Sequence, residues 1–360
     1  MAVLTTRLGG RSYPIHIRRG LLDDIGGEIR RFYQGAKIFV VTDENVNAYY
    51  GGAVEKSLQQ AGYITSRLVL PAGERTKSFV NMPILYEAML NSGLTRHDLL
   101  LALGGGVVGD LGGFAAATYM RGVPYVQVPT SLLAQIDSSI GGKVAVNLPR
   151  GKNLVGNFYQ PMAVFIDPSV LSTLPDRFFA DGMAEVIKTA CVQDANLWRL
   201  IRRFAGRAEM RDAMEDIITR CCQIKQEIIG GDELDNNRRI ILNFGHSIGH
   251  ALETVYQYER YTHGEAVAVG MALITAQSEA LEMTAPGATA ALREALRANN
   301  LPDALPEDAD GAALVSAISR DKKNVGSLLR TVLLKEIGQG FVYETTLPFF
   351  HFLLPKRNRA

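Results

Sequence analysis

Three of the six histidines fall within eighteen residues, in Asn243-Phe-Gly-His246-Ser-Ile-Gly-His250 and Thr262-His263-Gly264-Glu265. His246 and His250 stand four apart, so a helix through them turns both rings to one side. His263 opens the next helical pattern and can join them across a helix pair, with neighbouring glycines allowing close approach. Such a group suits a catalytic divalent metal, which takes three protein ligands and keeps one position for substrate or water. The glutamate of HExxH is missing, which argues against a zinc protease. Glu185, in Gly182-Met-Ala-Glu185-Val-Ile-Lys188, is a candidate third ligand, because a carboxylate in an apolar helical run is costly unless paired or metal-bound. Capping or surface histidines, and a solvated face shared by Glu185 and Lys188, are the plainer readings of the same residues.

A second constellation is the turn Leu101-Ala-Leu-Gly104-Gly105-Gly106-Val107-Val-Gly109-Asp110. Glycines between a strand and a helix let the backbone approach a diphosphate, and the helix start offers unpaired N–H donors with a partial positive charge. Gly104, Gly106 and Gly109 match GxGxxG, a pattern that a tight strand-to-helix packing turn also satisfies. The turn lies about a hundred residues into the chain, and the next strand candidate, 124–128, does not end in a ribose-binding acid, unlike an ordinary dinucleotide unit. Asp43, closing an earlier strand, is the alternative acid.

Basic residues form the third group. Lys143 follows Gly141-Gly142, Lys152 follows Gly151, and Lys188, Lys225 and Arg239 are expected on or near the helices carrying the metal candidates. An ammonium serves phosphate as a point charge, and a guanidinium grips carboxylate or phosphate with two parallel bonds. Singly, each reads as a solvated surface charge. Beside a metal cluster and a dinucleotide turn, they point to a small substrate bearing both phosphate and carboxylate.

The elements that must position these groups divide near residue 170. The first 170 residues alternate short β-branched or Leu-rich runs (37–42, 64–71, 99–103) with amphipathic ones, each run ending in a polar or glycine-rich turn, the pattern of βαβ units and a mostly parallel sheet. Residues 171–360 carry long helical patterns at 176–204, 210–229, 243–256 and 264–281, so a helical second domain is expected, with a small hairpin from 328–334 and 340–343. The apolar stretch 347–355 reads as a packed tail segment ahead of a basic end.

Composition limits the alternatives. Thirty-eight basic against 37 acidic residues leave a net charge of +1, so no global field draws the chain to nucleic acid or an acidic membrane. The three cysteines, Cys191, Cys221 and Cys222, form no CxxC pair and suggest a reducing compartment. The longest apolar stretch, 99–120, is broken by six glycines and Asp110, and the N-terminal segment lacks a signal-peptide core. A cytoplasmic protein with a small-molecule substrate, and with neither nucleic acid nor membrane as partner, is expected.

From about Val41 to Lys323 the sequence resembles the 3-dehydroquinate synthase family. The blocks, in order, are Val41-Thr-Asp-Glu-Asn45, Gly73-Glu-Arg-Thr-Lys77, 103–110, Thr118-Tyr-Met-Arg121-Gly, Pro129-Thr-Ser-Leu-Leu-Ala134, Asp137-Ser-Ser-Ile-Gly-Gly-Lys143, Gly151-Lys-Asn153, 182–188, 243–250, His263-Gly-Glu265 and Asp321-Lys-Lys323. So many blocks in one order are specific where a single one is not. The resemblance implies a Rossmann-like α/β NAD-binding domain (1–170) and an all-α metal- and substrate-binding domain (171–360). It also implies a homodimer that uses NAD and Zn²⁺, or Co²⁺, in the cleft between the domains.

Carried over residue by residue, Glu185, His246 and His263 are similar to the metal ligands, and His250 to an acid-base group outside the metal's coordination. The NAD-contacting set is Asp43, Asn45, Glu74, Lys77, Gly104, Gly105, Gly106, Val107, Asp110, Thr130, Ser131, Asp137, Lys143, Lys152 and Thr173. The substrate set is Lys143, Lys152, Asn153, Lys188, Lys225, Arg239, Asn243 and Lys322, with Arg121 reaching the phosphate from the neighbouring subunit. Lys143, Lys188, Lys225, Arg239 and Asn243 join His250 as catalytic candidates. Two mild departures are Asn236-Asn237 in place of a glycine-containing turn before Arg239, and Ser131 where threonine is also found.

The implied reaction is the lyase of the second shikimate step, on the route to chorismate and the aromatic amino acids. 3-Deoxy-D-arabino-heptulosonate 7-phosphate is oxidised transiently at C5 by NAD⁺, loses phosphate by β-elimination, is reduced again, and closes by an intramolecular aldol to 3-dehydroquinate. The alternatives are a sister sugar-phosphate cyclase and a metal-dependent polyol or glycerol dehydrogenase. The lysine and arginine set disfavours the dehydrogenase, which has little phosphate charge to meet.

Overall fold

The computed structural model describes residues 2–8, 11–230, 238–320 and 328–354. The chain separates into two compact units, one of residues 1–175 with 218–234, the other of 176–217 with 235–360. Residues 218–234, most of them on the helix Met214–Ile229, thus join the first unit although they follow the second in sequence.

Seven strands form the sheet of the first unit: β1 (Ala2–Leu8), β2 (Arg11–Ile17), β3 (Lys37–Asp43), β4 (Ile64–Leu70), β5 (Leu99–Gly104), β6 (Tyr125–Pro129) and β9 (Ala163–Ile166). Their order is β1-β2-β9-β6-β5-β3-β4, parallel throughout except for the antiparallel pair β1–β2. β5 is buried along its whole length, and its alternate residues feed two cores, as expected of a strand covered on both faces. Leu100 and Ala102 pack with Phe39, Val41, Leu111 and Phe114, while Leu99, Leu101 and Leu103 pack with Ile38, Val40, Ile25 and Leu58.

Chain direction across the sheet reverses between β3 and β5. Ligands of open α/β sheets gather beyond the carboxyl ends of strands at such a reversal. Asp43 ends β3 and Gly104 ends β5, so the acid and the glycine turn share this edge.

A separate hairpin, β7 (Lys143–Leu148) with β8 (Gly151–Phe158), lies on the glycine-rich helix Gly106–Thr118. Close packing there requires small residues: a Cβ on Gly113 would stand 2.4 Å from Val144 Cγ1. The β7–β8 register slips between Val146 and Leu148, where Asn147 faces a bulge of residues 152–154 in β8.

The second unit is built on the helices Asp176–Gln193, Ala195–Ile201, His246–Val255, His263–Ala280, Ala288–Ala298 and Gly311–Ser319, with the hairpin β10 (Leu329–Glu336) and β11 (Gln339–Thr345). The continuous pattern over 176–204 is in fact two helices. The Asp194 carboxylate accepts from the amides of Asn196 and Leu197 and starts the second helix, although the apolar spacing runs on across the break. The tail segment is packed: Phe350 and Leu353 are buried on the 3₁₀ turn Leu347–Leu353. Among the described residues, no helix is long and apolar enough to cross a membrane.

Candidate active site

Two helix pairs bring the metal candidates together within the second unit. The His246 and His263 helices touch through glycine: a Cβ on Gly249 would lie 3.1 Å from the Val267 Cα, and one on Gly270 would lie 2.0 Å from the Gly245 carbonyl oxygen. That approach sets the His246 and His263 rings 5.2 Å apart, centre to centre, with their planes at 68°. The His263 helix is likewise pressed onto the helix of Glu185, since a Cβ on Gly264 would meet the Asp181 carbonyl oxygen at 2.1 Å. The Gly264 amide donates to Asp181 Oδ1 at 2.6 Å, and a Thr262–Glu265 capping box with an Arg177–Glu265 pair fixes the start of the helix.

Glu185 is 1% exposed, and its Oε1 lies 3.8 Å from Nε2 of both His246 and His263. That oxygen is buried with no hydrogen-bond partner among the described residues, an arrangement that costs free energy unless a cation answers it. The other carboxylate oxygen pairs with Lys188, also buried. His246 Nδ1–H donates to the Phe244 carbonyl at 3.1 Å, which leaves Nε2 with a lone pair facing Glu185. His263 Nδ1 stands 3.5 Å from the buried carboxylate of Glu253. Both rings are thus oriented from behind, as metal-bound imidazoles are.

One ligand atom from each of Glu185, His246 and His263 lies within 4.8 Å of the others. Burial works against a charged His263, but Glu253, Glu185 and Asp181 outweigh it and raise its pKa to about 9. The field that holds a proton there favours a divalent cation equally, so the residues present fit a metal. His250 is half-buried, with its ring 5.4 Å from that of His246 and 6.1 Å from that of His263. Glu253, three residues beyond His250, escaped the sequence reading. The signal was a carboxylate on the helix face that carries the histidines. Arg239 is buried and Asn243 half-buried, on the 3₁₀ turn Arg238–Asn243 that leads into the His246 helix.

In the first unit, the helix after β5 begins at Gly106, and its N-cap Gly105 offers no side chain to cap it. A Cβ on Gly105 would come within 3.4 Å of Ser131 Oγ, and one on Gly106 within 3.0 Å of Ser138 Oγ. This cradle fits a dinucleotide's phosphates. The Asp43 carboxylate accepts from the Asn45 and Val46 amides. Lys77 pairs with Asp110, and although burial disfavours its charge, Asp110 and Glu74 together raise its pKa. Thr173 shares a 2.7 Å hydrogen bond with the Tyr50 hydroxyl, and Thr130 and Ser131 follow β6.

Lys225 groups with the first unit, where its ammonium donates to the carboxylate and carbonyl of Asp137. Lys143, Lys152 and Asn153 all belong to the β7–β8 hairpin. Lys322 and the Asn236-Asn237 turn lie outside the described residues. Arg121 is exposed and follows Met120 at positive φ (48°), with Arg121 itself at 65°, a rare backbone for side-chain-bearing residues.

The 3-dehydroquinate synthase N-terminal model matches residues 67–181, and the corresponding C-terminal model matches 182–324. The chain belongs to the 3-dehydroquinate synthase family. The 3-dehydroquinate synthase of Clostridium beijerinckii is 47% identical over 350 residues, 97% of this chain and 100% of the relative. Among solved structures, a 2-deoxy-scyllo-inosose synthase in complex with carbaglucose-6-phosphate, NAD⁺ and Co²⁺ aligns with a TM-score of 0.87, 25% identity, and coverage of 98% of this chain and 99% of that one. The 2-epi-5-epi-valiolone synthase of Streptomyces hygroscopicus, with NAD⁺ and Zn²⁺, gives a TM-score of 0.87 at 26% identity, covering 97% of each chain. Both align over nearly the whole chain, so family membership and fold agree.

Proposed function

We propose that the chain converts 3-deoxy-D-arabino-heptulosonate 7-phosphate into 3-dehydroquinate and inorganic phosphate, the lyase of the second shikimate step. The single observation that carries this reading is the match of both halves of the family model to one chain, joined by full-length relatives of the same activity. NAD and a divalent cation, Zn²⁺ or Co²⁺, are its cofactors. When bound, they supply a reversible hydride acceptor and a Lewis acid that acidifies a substrate hydroxyl.

The chain's own residues divide the remaining work. Glu185, His246 and His263 hold the cation, and Lys188 neutralises the Glu185 oxygen turned away from the histidines. The Gly105–Gly106 amides and Lys77 receive the dinucleotide beside Asp43, Glu74 and Asp110. Lys143, Lys152 and Asn153 bind the phosphate and stabilise its developing charge as it leaves. Lys225, Arg239, Asn243 and Lys322 hold the rest of the acid, and Arg239 is the guanidinium suited to its carboxylate.

His250, beside the metal ligands but outside their short Nε2–Oε1 contacts, relays the proton at the oxidised carbon. The chain acts as a cytoplasmic homodimer in which Arg121 is presented to the neighbouring subunit's phosphate site. Its exposure and the strained backbone around it support that role.

The test is incubation with NAD⁺, Zn²⁺ and the heptulosonate phosphate, following phosphate and product. Release of phosphate with equimolar 3-dehydroquinate and no net NADH is expected. Activity confined to a seven-carbon sugar phosphate lacking the carboxylate would sink the substrate assignment.

A further inference from the structure

One side chain ties the glycine-turn region of the first unit to the hairpin carrying Lys143, Lys152 and Asn153. Asn147 stands opposite a bulge in β8, where residues 152–154 lie between two ladder pairs that Asn147 alone separates on β7. Its Nδ2 donates to Glu74 Oε1 at 2.7 Å, its Oδ1 accepts from the Asn153 amide at 2.9 Å, and its own amide donates to the Lys77 carbonyl at 2.9 Å. Lys77 in turn pairs with Asp110, on the second turn of the glycine-rich helix. A continuous chain of polar contacts therefore runs from that helix through Lys77 and Asn147 to Asn153.

The residue type is specific to this task. Only an amide side chain offers a donor to one neighbour and an acceptor to the other at this length. Aspartate would set a carboxylate against Glu74, and alanine would leave both partners unmet. The Asn153 backbone is at φ 54°, an unfavourable region for a side-chain-bearing residue, and the Asn147 oxygen bonds its amide. The β7–β8 ladder is interrupted here, between the pairs Val146–Val155 and Leu148–Gly151, so the Asn147 side chain holds the Asn153 amide where the ladder does not.

We infer that Asn147 is a positioning residue that fixes Lys152 and Asn153 relative to Glu74 and Lys77, so that cofactor and substrate groups keep one register. The inference rests on the proposed roles of those four residues. Two readouts separate its failure from theirs: amide hydrogen exchange across 151–158, and steady-state kinetics with the heptulosonate phosphate. Asn147→Ala is expected to speed exchange in 151–158 and to raise KM about tenfold while kcat changes less, as misplacement of binding groups does.

Asn147→Asp should do the same when Glu74 is present. In a Glu74→Gln background, where the glutamine amide donates to the new carboxylate, Asn147→Asp should add no further loss. This second background keeps the test open if Asn147→Ala folds poorly. Equal damage by Asn147→Asp in both backgrounds, or unchanged exchange in 151–158, would overturn the strut. Faster exchange with KM unmoved would overturn its role in positioning. A wild-type chain with no turnover on this substrate would instead sink the functional reading, while the exchange arm still judges the strut.

Discussion

Around His263 the chemistry is carried by side chains: three carboxylates, three imidazoles and a buried lysine gathered between helices pressed together through glycine. At the end of β5 it is carried mainly by what is missing, a helix start whose N-cap glycine has no capping side chain and whose glycines leave room beside Ser131 and Ser138. The first region is charged and nearly closed, and losing one group leaves another unanswered. The second is shaped by the backbone, and damage there comes from adding atoms. Truncation should therefore be severe in the helical unit, and enlargement should be graded in the sheet unit.

The largest effect is expected from Glu185→Ala. It removes a proposed metal ligand and the carboxylate paired with the buried Lys188, so turnover in the presence of Zn²⁺ should be lost, and unfolding in denaturant should report a loss of about 3–5 kcal/mol. Retained metal with near-normal stability would break the comparison. Next comes Gly264→Ala, whose new Cβ would meet the Asp181 carbonyl oxygen at 2.1 Å and push His263 from Glu185. A stability loss of about 1–3 kcal/mol with weakened Zn²⁺ binding by chelator competition is expected. Smaller still is Gly106→Ala, where 3.0 Å to Ser138 Oγ requires only a slight shift. NAD⁺ affinity should fall about tenfold, equivalent to about 1.4 kcal/mol, with metal content unchanged, as measured by titration calorimetry.

Donor types and periodicity made much of this readable beforehand. The runs at 37–42, 99–103 and 124–128 became β3, β5 and β6 because buried parallel strands are written as continuous apolar runs, while 64–71 became β4, an edge strand buried only at Leu70. β1, β2, β7, β8 and β9 were not anticipated. The first four mix polar residues with apolar ones and owe their pairing to partners rather than to their own pattern, and β9 is only the four residues Ala163–Ile166.

The histidine and Glu185 cluster was legible as a set of costly residues, whereas its orientation was not. That Phe244 and Glu253 lie behind the rings follows from helix packing, which no spacing in one segment encodes. The grouping of Lys225 with the sheet unit was equally hidden, because its helix is amphipathic like its neighbours.

The division of roles between His246 and His250, one helical turn apart, is the claim most exposed to direct test. Metal content measured by atomic emission, alongside phosphate release, should be compared for His246→Ala and His250→Ala. The account predicts that His246→Ala loses the metal, while His250→Ala keeps one metal ion per chain and turns over about 10²–10⁴-fold more slowly. Loss of metal from His250→Ala, or its retention by His246→Ala, would contradict it.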